Sequence, residues 1–293
     1  MKLEFICEND NIKLSEELKK HISRKLYKNL KSSNTIIYVN GIAHLGYMEI
    51  KKGDIITFEY NKESEIKWDI YPSNLDIRYE DNDYLVIFKR GNLMSIPTKG
   101  CPFSVYQEVL YYLKEKKEAL NVSIINRLDK ETKGLMVIAK NRYAAYMLEP
   151  THIKMTRKYL ALCEGIFEIK EGTINTLIDK KDDSNKRYVS NTGKVAITHY
   201  KVIKEINGNS LVEFILDTGR THQIRVHLSS MGNPIYGDTL YGFEEDSSII
   251  PRQALHAYGL NFKSPRTKDE LELRANLPKD IQELLDKLRK SKI

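Results

Sequence analysis

An aspartate set in a charged turn between two apolar runs is the first place in this 293-residue chain where chemistry could sit. The segment reads Ile124-Ile125-Asn126-Arg127-Leu128-Asp129-Lys130-Glu131-Thr132-Lys133-Gly134 and continues as Leu135-Met136-Val137-Ile138-Ala139. A short polar loop between core strands holds its side chains on rigid supports, which is how a scaffold aims a reactive group. Arg127 and Asp129 are two apart, so in extended chain they share a side. Read bare, Asp129 followed by Thr132 and Gly134 also fits a hydrogen-bonded turn residue, and turn preferences favour that reading.

A second segment gathers donors. Leu211-Val212-Glu213-Phe214-Ile215-Leu216-Asp217 patterns as a strand, Gly219 marks a turn, and Thr221 can cap the helix that follows. Arg220, His222, Gln223, Arg225 and His227 crowd the start of that helix, a place that suits anions. His222 and His227 are five apart with no acidic residue between them, unlike the i, i+4 pair of a zinc-binding helix. With no nucleophile beside them, hydrogen bonding within the fold is the favoured reading of both.

Arg127-Leu128-Asp129 with Thr132 and Gly134, then Lys158-Tyr159-Leu160-Ala161-Leu162 with Gly165, then Gly219 through Leu228, resemble in order the three motifs of RluA-type pseudouridine synthases. Ile77 to Asp81, Ala196 and Thr198 before Tyr200, Gly232-Asn233-Pro234-Ile235 with Gly237-Asp238, and Leu255-His256-Ala257 extend the similarity over roughly residues 75 to 270. The resemblance implies a pseudouridine synthase fold of α+β class, with a mixed, largely antiparallel central sheet. It implies Asp129 as the catalytic aspartate, Tyr159 as the aromatic packed on the target base, and Arg225 as the arginine paired with the aspartate. It implies RNA contacts from Arg127, Lys158, Arg220, His222 and Gln223.

That chemistry suits a single carboxylate. Uridine isomerisation breaks the bond from ribose to the base nitrogen, turns the base in place and joins carbon 5 to the sugar, whereas a hydrolytic glycosidase needs a second carboxylate to activate water. An adjacent Arg225 would keep Asp129 ionised. A paired uridine must be flipped out to expose its sugar, and Tyr159 would give it a stacking surface and a hydroxyl for proton transfer. No cofactor and no metal are expected. The chain departs from the usual pattern at Asn126, where a His is common, at Lys133, where a small residue is common, at Arg90 in place of Pro, and at Ile96-Pro97 in place of His-Pro. Asn126 and Lys133 border Asp129 and are expected to alter flipping contacts, target choice or rate. The rival from another class is an RNA-binding or RNA-folding factor that kept the fold and lost turnover.

The elements that must position these residues divide the chain. Residues 1–62 read as a unit, 63–74 as a linker, and 75–293 as the catalytic domain. In the first unit Leu14, Leu18, Ile22, Leu26 and Leu30 recur every four residues, an apolar stripe on one helical segment or two. Arg24, Lys25 and Lys28, among other cations, surround the stripe, and Ile36 to Gly41 reads as strand and turn. Leu26 to Tyr60 resembles the small alpha-L RNA-binding domain of a small-subunit ribosomal protein, which implies phosphate contacts from those cations and a unit mobile on its linker. Beyond it, strand-like runs at Asp76 to Glu80, Tyr84 to Phe88 and Leu135 to Ala139 alternate with helical patterns at Val105 to Lys117, Arg142 to Met147 and Lys279 to Lys290. Lys180 to Thr192 is polar, lacks an apolar period and reads as a mobile loop.

Composition bounds the partners. With 47 Lys and Arg against 40 Asp and Glu, the net charge of +7 favours a polyanion. The resemblance implies that it is structured RNA, either ribosomal or transfer. Cys7, Cys101 and Cys163 lie too far apart in sequence for a zinc grip or a disulfide framework. The apolar runs fall short of the roughly 20 residues that span a bilayer. Glu8 and Asp10 follow the start too closely for a secretory signal. A cytoplasmic monomer with no membrane association and no obligate protein partner is the expectation.

Overall fold

The computed structural model describes residues 2–59, 68–98, 101, 103–149, 153–181, 184–243 and 250–290. The N-terminal part holds β1 (Lys2–Ile6), β2 (Ile12–Lys13), α1 (Leu14–His21), α2 (Arg24–Ser32), β3 (Ile37–Val39), β4 (Ile42–His44), β5 (Glu49–Ile50) and β6 (Ile55–Glu59). The period-four stripe is cut in two at Ile22, and the Ser23 side chain restarts the helix by accepting the Leu26 N–H at 3.0 Å. All five stripe residues are buried against Leu3, Phe5, Val39, Ile56 and Phe58 of a four-stranded sheet ordered β1-β6-β3-β4. Asn40 and Gly41 both have positive φ, 51° and 82°, the geometry of a two-residue hairpin turn joining β3 to β4.

The rest of the chain runs β7 (Ile77–Glu80), β8 (Tyr84–Lys89), α3 (Val105–Glu115), β9 (Ser123–Ile124), β10 (Lys133–Ala139), α4 (Arg142–Met147), β11 (Thr156–Cys163) and β12 (Glu171–Lys180). It continues with β13 (Arg187–Ser190), β14 (Lys194–Ile206), β15 (Asn209–Leu216), α5 (Gln223–Ser230), β16 (Leu255–Lys263), β17 (Glu270–Arg274) and α6 (Lys279–Lys290). These strands form one sheet of order β13-β12-β14-β15-β11-β16-β10-β8-β7, with β17 also on β16 and β9 on β10. Its described pairings are antiparallel except for the short β10–β16 contact, so the sheet is mixed and largely antiparallel, as the sequence implies.

Strands β8 and β10 are apolar along their length because both faces are covered. Leu85, Ile87, Met136 and Ile138 join the core shared with α3, while Tyr84, Val86, Leu135 and Val137 face the cluster that includes Ala144 of α4. The parallel contact between β10 and β16 requires a glycine. Gly134 has φ 140°, and a Cβ there would lie 2.2 Å from the Ala257 carbonyl oxygen.

The N-terminal unit packs on α4, where Phe5 meets Tyr143 with ring centroids 5.5 Å apart and Met147 joins the same cluster. Two expectations meet a different structure. The segment expected as a mobile loop is a hairpin: β13 pairs with β12 from Leu177↔Ser190 to Lys180↔Arg187, its polar residues reflecting an exposed sheet edge. Thr221 does not cap α5, because His222 takes the cap position in a left-handed conformation with φ 57°. Of the expected linker, 68–74 carry neither helix nor strand, and 60–67, including the Tyr60 end of the first unit's last strand, lie outside the described residues.

Candidate active site

Asp129 stands at the end of β9's loop, one turn before β10, and three separate anchors fix that turn. Thr132 N–H donates to the Asp129 carbonyl at 3.1 Å. The Thr132 hydroxyl accepts from Gln253 Nε2 at 3.1 Å. The buried Lys89 ammonium donates to the carbonyls of Arg90, Leu93 and Lys130 at 2.9, 2.8 and 2.8 Å. Burial pushes the Lys89 pKa down to about 7, with Glu131 and Asp129 opposing that fall. Asn126, where the sequence departs from the familiar pattern, is a strut: its amide oxygen accepts the Val137 N–H at 2.7 Å and its nitrogen donates to the Leu135 carbonyl at 3.2 Å. Lys133 points away from Asp129 and pairs with Asp280 of α6 at 2.8 Å.

Tyr159 arrives from β11, separated from β10 by one strand. The register of β11 against β16 slips between Lys158 and Tyr159, so that Tyr159 stands opposite Ala257, the residue that also meets Gly134. Tyr159 is 6% exposed, and burial pushes its hydroxyl up to about 12, Asp129 adding and Arg157 opposing. It is therefore a neutral phenol at physiological pH.

Arg225 comes from α5 and is held before it reaches Asp129. Its Nε and Nη2 donate to Asp238 Oδ2 and Oδ1 at 2.6 and 2.7 Å, a bidentate fork, and its Nη1 reaches Asp129 Oδ2 at 3.2 Å. Asp238 is fully buried and also accepts the N–H groups of Leu240 and Tyr241. Burial works against the Arg225 charge, but Asp238 and then Asp129 outweigh it and the pKa stands above the ordinary value. The guanidinium lies 5.0 Å from the centre of the Tyr241 ring. Asp129, 24% exposed at its side chain, is the member of this cluster open to the cleft.

His222 flanks the pair, its Nε2 4.0 Å from Asp129 Oδ2 and its Nδ1 3.0 Å from the Tyr241 hydroxyl. That hydroxyl also accepts the Arg187 N–H at 2.7 Å. Burial pushes the His222 pKa down, Asp129 pulling the other way. His227 is structural, as expected: both ring nitrogens meet threonine hydroxyls, Thr176 at 3.0 Å and Thr198 at 2.9 Å, and burial lowers its pKa to about 4.

These groups line a cleft of about 820 Å³ that brings together Asp129, Tyr159, Arg225, Arg127, Arg220 and His222. Gln223 lines it too but is fully engaged inward: its oxygen accepts from Arg220 N–H and the Thr218 hydroxyl, and its nitrogen donates to the Ile197 carbonyl and Thr198. These bonds close the turn before α5. Lys158 is not in the cleft; its stem runs over Gly259 of β16. Arg24, Lys25 and Lys28 are exposed on α2, outside this cleft, with Lys25 on a second cleft of about 300 Å³ shared with α4. Sequence reasoning gave no role to Asp238, Tyr241, Arg157 or Arg187, all but Asp238 and Tyr241 lining the cleft. Among the described residues no group of three or more His, Cys, Asp or Glu could hold a metal ion, and no helix is long and apolar enough to cross a membrane.

A carboxylate held by one arginine shares the cleft with a buried tyrosine, at β11, β16 and β10 inside the long mixed sheet. Residues 83–230 match the RNA pseudouridylate synthase family model, and the chain belongs to that family of RNA isomerases. It is 38% identical to the uncharacterized RNA pseudouridine synthase YhcT of Bacillus subtilis over 260 residues, covering 86% of this chain and 85% of that one. It is 36% identical to ribosomal large subunit pseudouridine synthase D of Vibrio vulnificus over 262 residues, covering 83% and 79%. The fold is also that of human RNA pseudouridylate synthase domain containing 4, with TM-score 0.58 at 24% identity over 73% of this chain and 92% of that one.

Proposed function

We propose that this enzyme converts a specific uridine of large-subunit ribosomal RNA to pseudouridine, with Asp129 as the essential carboxylate acting as nucleophile or general base. The observation that carries the reading is the 3.2 Å approach of Arg225 to an Asp129 that is itself open to the cleft holding Tyr159. Arg225 holds the carboxylate in place, and a flipped uridine stacks on the Tyr159 ring. The proton that leaves carbon 5 is matched by the one gained at the base nitrogen freed from the sugar, and the neutral Tyr159 hydroxyl is suited to relaying it. Arg127 and Arg220, on the cleft walls, meet the surrounding RNA. The relatives named for the large ribosomal subunit support the target class, with transfer RNA as the alternative.

The N-terminal residues 1–62 serve in this reading as an alpha-L RNA-binding domain, joined through 63–74 to the catalytic residues 75–293. Arg24, Lys25 and Lys28 on exposed α2 supply its phosphate contacts. The enzyme works as a cytoplasmic monomer without cofactor. The test incubates wild type and Asp129→Ala with total RNA lacking the modification, then maps pseudouridine by carbodiimide labelling and primer extension. A discrete new stop with wild type alone is expected. RNA binding by both proteins without any stop would leave a silent RNA-binding factor as the better account.

A further inference from the structure

Arg157 lies at the start of β11, two residues before Tyr159, and lines the same cleft. Its guanidinium is fixed from one side, with Nη2 donating to the Leu216 carbonyl at 3.1 Å. The turn after β15 is shaped around it, since a Cβ on Gly219 would come within 3.0 Å of Nη1. Its Nε is buried and meets no acceptor, and among the described residues Nη1 donates to none. A guanidinium with unanswered donors is costly, and an acceptor arriving at Nη1 would relieve it.

The neighbouring cations are differently placed. Arg225 is committed to Asp238 and Asp129, and Arg220 turns its Nε to the Val195 carbonyl at 2.8 Å. Arg157 thus combines a plane preset by the Leu216 and Asp217 carbonyls, an Nη1 without an acceptor among the described residues, and a place in the same cleft as the tyrosine on which the base stacks. The charged N–H groups of Nη1 suit a non-bridging oxygen of a phosphodiester.

We propose that Arg157 binds a backbone phosphate of the RNA next to the reacting uridine, setting the position of the flipped nucleotide between Tyr159 and Asp129. The inference rests on the uridine-isomerising reading of the cleft and adds a phosphate subsite to it.

The test measures binding of an in vitro transcript of bacterial large-subunit ribosomal RNA across a salt series. Asp129→Ala is compared with the same protein carrying Arg157→Gln or Arg157→Lys. Gln keeps a donor for the Leu216 carbonyl but loses the charge, so affinity should fall and the slope of log K against log salt should shrink by roughly 0.7 to 0.9, one phosphate's worth. Lys keeps the charge and should keep the slope while binding less tightly. An unchanged slope for Gln, or equal slopes for Gln and Lys that both fall below the parent, overturns the phosphate assignment, because a purely structural role or a contact to a base carbonyl would not follow the charge. Pseudouridine formation by wild type on the same transcript is scored in parallel. Its absence together with the Gln-specific slope change would fault the target assignment and leave the phosphate contact standing.

Discussion

Arg225 and Arg252 each close a two-bond fork on one aspartate, Arg225 on Asp238 at 2.6 and 2.7 Å and Arg252 on Asp280 at 2.7 and 2.9 Å. The difference lies at the third nitrogen. Nη1 of Arg252 donates to the carbonyls of Gln253 and Leu255, and Lys133 adds a further bond to Asp280, so every charge there is answered from within the fold. Nη1 of Arg225 instead reaches a second carboxylate, Asp129, that faces the cleft. The same device therefore clamps α6 to the sheet in one place and aims a reactive group in the other. What separates a site from a clamp is the one ligand position left for something outside the chain.

Both clusters hang on the β10–β16 contact, because Asp129 and Lys133 flank the start of β10 while Arg252 and Gln253 precede β16. Gly134→Ala attacks that contact, and the largest effect is expected there. The new Cβ would collide with the Ala257 carbonyl at 2.2 Å in a backbone conformation closed to alanine. A loss of about 4 kcal/mol or more is expected, read by urea denaturation, with activity falling in step. A stable, active variant would mean that the two clusters do not depend on this approach.

Asp238→Asn separates the clusters. It keeps the side chain's shape but removes the charge that presets Arg225, so kcat should fall about 10²-fold through misaiming of Asp129 while RNA affinity changes little. Single-turnover kinetics on the mapped RNA would show it. Equal losses of kcat from Asp238→Asn and Asp280→Asn would erase the distinction between site and clamp.

The sequence makes the scaffold more legible than the cluster. Continuous apolar runs mark β8 and β10 because both faces are buried, and the spacing of Leu14 to Leu30 marks the helices because one face is. Asp129, Tyr159 and Arg225 are found through motif resemblance, and the structure brings them into one cleft. Asp238 carries no periodic signal, since its role depends on a fork to a residue 13 positions away across a turn. Arg157 is equally silent, because an arginine at a strand start reads as solvated until its buried Nε is seen. Lys158 follows the motif to a place outside the cleft, because neighbours on a strand face opposite ways. Polar β13 escaped because an exposed edge strand has no apolar alternation to show.

Asp280→Asn tests the clamp itself, with the smallest expected effect. Burial alone would raise the Asp280 pKa, but the bonds from Arg252 and Lys133 prevail and hold it at about 2, against an ordinary 3.8. A carboxyl lowered on folding stabilises fully above its unfolded pKa, and that contribution fades as pH falls through the folded value. The shift corresponds to about 2 kcal/mol at neutral pH. Denaturation of wild type and variant should therefore differ by about that amount at pH ~7 and converge as pH drops from ~4 toward ~2. A pH-independent gap would mean that the variant loses packing at the start of α6 rather than ion pairing. At neutral pH kcat should stay within about threefold of wild type, because Thr132 and Lys89 still hold the turn that carries Asp129.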